Sequence, residues 1–305
     1  MNLDQPLYIY EKDQVPLPLP SDQTLVDENP DYFASSIYGP AEPPSLQSYV
    51  QIPVSTAFHA NAIPPPNTLF LSSDGVSFHV RNETILESSP RHLKHISRQQ
   101  IIRLDAPSAE LNIILHALYG TSAAAYSPDT NILVNAIDRM PTYGILPQSV
   151  IWPLTHLYYL LLSHAPICPL KIYALAAHHN ISALAISASA HLLSYDLTTI
   201  TDDMAERIGA IYLKKLLTLH IERNRSLKQI LLRPPHPHPP TNECSFTNQD
   251  RLTRTWALVS AHFVWDVQPD ITDVPERLSC GICLEVLEDK IKDTVVQWAS
   301  VKRTI

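Results

Sequence analysis

The stretch Thr68–Pro90, TLFLSSDGVSFHVRNETILESSP, decides how the rest of the chain is read. Leu69, Phe70 and Leu71 form a short apolar run. Asp74-Gly75 follows, a strong hairpin signal because glycine takes the positive φ of a tight two-residue turn. Val76, Phe78 and Val80 then alternate with Ser77 and His79, the period of a half-buried strand. A polar segment with Ile85 and Leu86 stops at Pro90. The order is strand, turn, strand, helix.

Downstream, a polar bridge RHLKHISRQQ leads to a third strand at Ile101, Ile102 and Leu104. Pro107-Ser108 opens a helix, with Ser108 as N-cap and Leu111, Ile114, Leu115 and Leu118 recurring at helical spacing. Gly120 ends it in a left-handed conformation. A second helix spans Ile132 to Met140 and is closed by Pro141. IWPLTHLYYLLLSH is a third, with Pro153 in its first turn; it is apolar on nearly all sides. Such a helix is buried, and any exposed part of 151–162 is a partner surface. In PLKIYALAAHHNISALAISASAHLL, residues 169–193, two helices meet at Asn180. Ala176, Ala177, Ala183 and Ala188 let them approach closely. Thr201 caps a further helix, with Asp202 and Asp203 favourably placed in its first turn. Its apolar stripe is Ile208, Ile211, Tyr212, Leu216 and Leu219.

Upstream, residues 1–66 are acidic and punctuated by proline (VPLPLP, AIPPPN), which holds neither helix nor inner strand. This leader is expected to be disordered. Residues 233–241, containing RPPHPHPP, read as a stiff linker. Beyond it, 242–305 carry two amphipathic helices. Leu252, Trp256, Val259 and Phe263 form one face; Leu284, Leu287, Ile291, Val295 and Trp298 form the other. They are expected to pack on each other or on the helices before the linker.

Composition narrows the function. The net charge of −8 argues against a surface built for phosphate backbones, and so against nucleic-acid partners. Six glycines in 305 residues leave little room for glycine-rich phosphate loops, and neither GxGxxG nor GxxxxGK[ST] occurs. No secretory signal or bilayer-length apolar run is found, so no membrane partner is expected. Four cysteines suggest a reducing compartment, cytosol or nucleus.

The order hairpin, helix, strand, helix, followed by the paired helices of 169–193, resembles a BTB/POZ domain over 67–200. The helix of 201–232 resembles the extension that often follows such domains. The 169–193 run and the ending VVQWASVKRTI are similar to a group of fungal BTB proteins. The resemblance implies an α+β, mostly helical fold with a small β-sheet flanked by helices. It also implies a protein–protein interaction module, scaffold or adaptor, with no chemistry of its own. Asn67 and Thr68 stand where the family carries an interface Asp. Arg81 and His92 replace its His and Phe, and no hydrophobic-x-Glu motif is seen. These departures argue against a strong homodimer and against cullin binding. A transcription-linked regulator and an enzyme with a site hidden from sequence spacing are the alternatives.

One constellation carries chemistry. Cys280-Gly-Ile-Cys283 is a CxxC, with Gly281 allowing a turn that aims both sulfurs at one point. Cys244 opens the same unit, and His236 and His238 sit just before it. Three thiolates and an imidazole complete a closed tetrahedral shell, so Cys244, Cys280, Cys283 and His238 form a candidate structural zinc site. Buried free cysteines and a redox dithiol are the competing readings, the latter without its usual βαβ setting. His178 and His179 lie in a packed helix pair, one of them facing solvent or capping a carbonyl.

Overall fold

The computed structural model describes residues 52–81, 83, 101–265 and 278–305. All of these fall within one compact unit. The expected first helix of 83–90 and its bridge lie outside the described residues beyond Glu83, as does residues 1–51 of the leader. The fold is α+β and mostly helical.

Strands β1 (Thr68–Leu71) and β2 (Ser77–Val80) pair antiparallel, with Phe70 opposite Phe78. Strand β3 (Ile101–Arg103) lies parallel to β1 on its other side, giving the order β2-β1-β3. The turn is longer than the two residues expected. Ser72 and Val76 belong to it, because Ser72 closes the loop from both sides. Its N–H donates to the Val76 carbonyl at 2.9 Å, and its hydroxyl accepts the Val76 N–H at 2.8 Å. Gly75 still supplies the positive φ, at 84°.

Residues 52–66, read with the leader, are ordered against the sheet. Ser77 donates its N–H to the Pro53 carbonyl and accepts the Ser55 N–H, both at 2.8 Å. The segment thus covers the free edge of β2, a common protection for an edge strand. Phe58 anchors it, buried among Phe70, Phe78, Val80 and Ile102. Proline-rich composition hides this single apolar anchor.

Helix α1 (Ser108–Leu118) joins two cores. Leu111 and Leu115 face the sheet, while Ile113 and Ile114 face the helical body. It is therefore buried on more than the one face expected. Helices α2 (Thr130–Arg139), α3 (His156–His164), α4 (Pro169–His178) and α5 (Ser182–Ser189) build that body. Pro153 lies before α3 rather than in its first turn, because Thr155 takes the cap and accepts the Tyr158 N–H at 3.3 Å. The α4–α5 corner falls at Asn180 as read, with φ 54°; of the small residues named for the close approach, Ala176, Ala177 and Ala188 are buried and Ala183 is half-buried.

Helix α6 (Asp202–Leu231) starts at the Thr201 cap and is broken at Gly209, φ 74° and ψ 156°. Ile208, Tyr212, Leu216 and Leu219 are buried; Ile211, expected on the stripe, is 72% exposed. Helices α7 (Phe246–Trp265) and α8 (Gly281–Ser300) pack on each other and on the end of α6. Their core holds Leu231, Leu252, Trp256, Val259 and Leu287. Helix α8 is rotated from the expected face. Cys283, Leu287 and Thr294 are buried, while Val295 is exposed. Residues 301–305 then run back: the Ile305 N–H donates to Ser189 Oγ at 3.1 Å, tying the chain end to α5.

Candidate metal centre

The centre forms at one end of the α6–α7–α8 bundle. Cys280 is the N-cap of α8, and Cys283 lies in its first turn. Residues three apart on a helix share a face, so helix geometry alone aims both sulfurs together. Gly281 is not required for this: a Cβ there would meet nothing within 4 Å, and its φ is ordinary. Cys244 comes from a small turn just before α7. The Thr241 N–H donates to the Cys244 carbonyl, and the Cys244 N–H to Thr241 Oγ1, both at 3.1 Å.

His238 arrives on the proline-rich segment. Pro237 and Pro239 flank it, and proline's fixed φ lowers the entropy lost in holding it there. The segment is thus not a spacer. It carries one ligand to a fixed place. Gln249 of α7 clamps it, donating its amide N–H to the His238 carbonyl at 2.8 Å.

The four ligating atoms lie within 4.8 Å of one another. Cys244 Sγ is 3.7 Å from Cys283 Sγ. His238 Nε2 is 3.5 Å from Cys280 Sγ and 3.4 Å from Cys283 Sγ. His238 Nδ1 stands 2.7 Å from the Pro239 carbonyl. A donor hydrogen bond there places the proton on Nδ1 and leaves the Nε2 lone pair toward the sulfurs, the usual outer-shell arrangement of a ligating histidine. Cys244 and Cys283 are buried and Cys280 half-buried; all are free thiols. His236, the other histidine of the segment, is exposed and outside the set.

The three thiols differ in acidity. The Cys283 N–H at the helix start, with further support from the His238 ring, holds Cys280 down at about 7. Burial pushes Cys283 up to about 12, and burial likewise raises Cys244. Cys280 therefore ionises first, and a bound cation would draw the protons from the other two. His238, Cys244, Cys280 and Cys283 together could hold a metal ion.

No family model, curated protein or solved structure matches this chain. The geometry of the centre and the fold around it therefore carry the functional argument.

A second grouping, Asp138 with His178 and His179, has a different character. Arg207 donates to both Asp138 oxygens, at 2.9 and 2.7 Å, and His179 Nε2 approaches Oδ1 at 2.7 Å. A guanidinium already neutralises the carboxylate, so this is an ion-paired joint linking α2, α4 and α6. His178 faces solvent. Burial opposes the Asp138 charge, but its bonds to His179 and Arg207 outweigh that and hold its carboxyl below the usual range.

Asn67 and Arg81, at the end of the sheet, are engaged locally. Asn67 Nδ2 donates to Glu83 at 3.0 Å, and the Arg81 N–H donates to the Tyr119 hydroxyl at 2.6 Å. Around α3, Ile151, Leu157, Tyr158 and Leu161 are buried, whereas Trp152, Leu154 and Tyr159 are 51%, 81% and 53% exposed. Cys168 is half-buried at the start of α4, apart from the centre. Among the described residues no helix is long and apolar enough to cross a membrane.

Proposed function

We propose that the chain is a protein–protein interaction module, a scaffold or adaptor of BTB/POZ type, whose C-terminal bundle is clamped by a structural zinc ion. The observation that carries this reading is the closed set His238, Cys244, Cys280 and Cys283. With Zn–S about 2.3 Å and Zn–N about 2.0 Å, a tetrahedral shell has S···S edges of about 3.8 Å and S···N edges of about 3.5 Å. Three of the six edges, the sulfur–sulfur distance of 3.7 Å and the sulfur–nitrogen distances of 3.4 and 3.5 Å, fit those values, and all six lie within 4.8 Å. Four protein ligands leave no open position for a substrate, the mark of a structural rather than catalytic zinc.

The clamp has a clear task. It ties the proline-rich segment, the start of α7 and the start of α8 to one point, in a bundle whose own core is small. The interaction role is supported by the hairpin, the parallel third strand and the close α4–α5 pair, the order implied by the BTB resemblance. The exposed Trp152, Leu154 and Tyr159 are aromatic and apolar anchors of the kind that dominate interfaces.

Two measurements test the reading. Metal analysis of purified chain is expected to find about one zinc per molecule. Affinity purification from native cells is compared between the unaltered chain and a Trp152→Ala, Leu154→Ala, Tyr159→Ala variant that keeps its circular dichroism. Partners lost only in the variant support the interaction role; an identical partner set refutes the anchors.

A further inference from the structure

A cavity of about 900 Å³ lies where α6, the ends of α7 and α8, and the returning chain end meet. Its walls are mixed, with Leu193, Ile221, Leu227, Phe263 and Trp298 forming the apolar part. Arg223 and Arg303 both line it, and so do His191 and His220. No Asp or Glu is among the described residues that line it. In a chain of net charge −8, that is a local reversal of sign.

Arg223 is fixed in place. Its Nη1 donates to the carbonyls of Val301 and Lys302, at 3.1 and 2.9 Å, and its guanidinium lies 4.1 Å from the Trp298 ring centroid. Burial, and then the charge of Arg303, hold Arg223 below the usual guanidinium range. Two cations thus face one pocket. Behind the lining, Thr294 Oγ1 and His220 Nε2 are buried with no hydrogen-bond partner. Thr294 is only 3% exposed.

We propose that this cavity binds a small hydrophobic carboxylate: an anionic head held between Arg223 and Arg303, and an acyl or aryl body against the apolar wall. The volume is that of a small-molecule pocket, and a few convergent polar groups in an apolar lining fix ligand orientation. The single negative charge follows from the lining. Arg223 has already spent donors on two backbone carbonyls, which leaves fewer for an anion. The site shares no lining residue with the metal centre.

Isothermal titration of the purified full chain with decanoate and with 1-naphthoate tests the proposal, with 1-decanol and inorganic phosphate as comparisons. At least one carboxylate is expected to bind with one-to-one stoichiometry and a Kd on the order of 10–100 µM. Phosphate is expected not to saturate. Decanol is expected to bind at least about tenfold more weakly than decanoate if the linear body is the one accepted. Arg303→Gln, a change in the exposed chain end, is expected to weaken carboxylate binding about tenfold. Saturable binding of neither carboxylate overturns the proposal. So does decanol binding as tightly as decanoate, phosphate binding as tightly as either carboxylate, or Arg303→Gln leaving the affinity unchanged. The decanol and phosphate comparisons use the unaltered chain, so the outcome stands even if the variant folds poorly.

Discussion

Asp74, in the hairpin turn, accepts the Ser108 N–H at 3.0 Å and the Ser108 hydroxyl at 2.7 Å. A turn residue thereby caps α1 from 34 positions away. The position before the helix is Pro107, which has no side-chain oxygen to offer, so the cap comes from the sheet. Ser108 itself is the first helical residue rather than the N-cap the sequence suggests. Burial acts against the Asp74 charge, but the hydroxyls of Ser72 and Ser108 and the Ser108 N–H outweigh it and hold the carboxyl below the ordinary aspartate range. A depressed folded-state pKa contributes stability that is present above the unfolded value of 3.8 and lost as pH falls through the folded one. Asp74→Ala is expected to cost about 1 kcal/mol at neutral pH. The difference from the unaltered chain should shrink in acid, below about pH 4. Urea unfolding at pH 7 and pH 3 checks both statements.

The proline-rich segment carries two histidines, and the structure assigns them different work. His238→Ala is expected to bring zinc content well below one per chain and to lower the thermal midpoint. His236→Ala should leave both unchanged, since His236 is exposed and outside the ligand set. Metal analysis of the two purified variants separates a specific ligand from a histidine-rich tract that binds metal loosely. Equal loss in both variants would count against the assigned ligand set.

What the sequence disclosed follows the range of the interactions involved. The hairpin is local, and Asp74-Gly75 with the alternation after it places β1 and β2 correctly. The CxxC is local as well, because three-residue spacing at a helix start brings two sulfurs together wherever the helix lies. The α4–α5 corner at Asn180 depends only on neighbouring residues. The failures are tertiary. The alternation ran through Val76, which the Ser72 bonds instead hold in the turn. The covering of β2 by 52–58 rests on the single anchor Phe58, invisible in proline-rich composition. The buried face of α8 is set by Cys283 turning toward His238 and Cys244, so Val295 is carried to solvent. The cavity under the chain end draws residues from segments more than 100 positions apart, such as His191 and Arg303, and no local pattern marks it.

Trp256 Nε1 donates to the Leu231 carbonyl at 2.9 Å, inside the C-terminal core. The carbonyl belongs to the last turn of α6, where the helix supplies no donor of its own. Trp256→Phe keeps an aromatic ring but removes the donor. It is expected to cost about 1 kcal/mol, because the buried carbonyl keeps only the longer bond from the Ser260 hydroxyl at 3.5 Å. Denaturant unfolding of the variant measures it, and a cost within about 0.5 kcal/mol of zero would show that the carbonyl finds another partner.

Gly209 sits inside α6 with φ 74° and ψ 156°, a backbone region open almost only to glycine. Space is not the issue, because a Cβ at this position would meet nothing within 4 Å. The break turns the helix so that Ile208 and Tyr212 remain buried while Ile211 faces out. Gly209→Ala is therefore expected to destabilise by about 1–3 kcal/mol, entirely through the backbone. An uninterrupted helix predicts the opposite sign, since alanine in a helix interior is favoured over glycine by about 1 kcal/mol. The sign of the change in urea unfolding decides between a broken and a continuous α6. A stabilising Gly209→Ala with increased helical circular dichroism would refute the break.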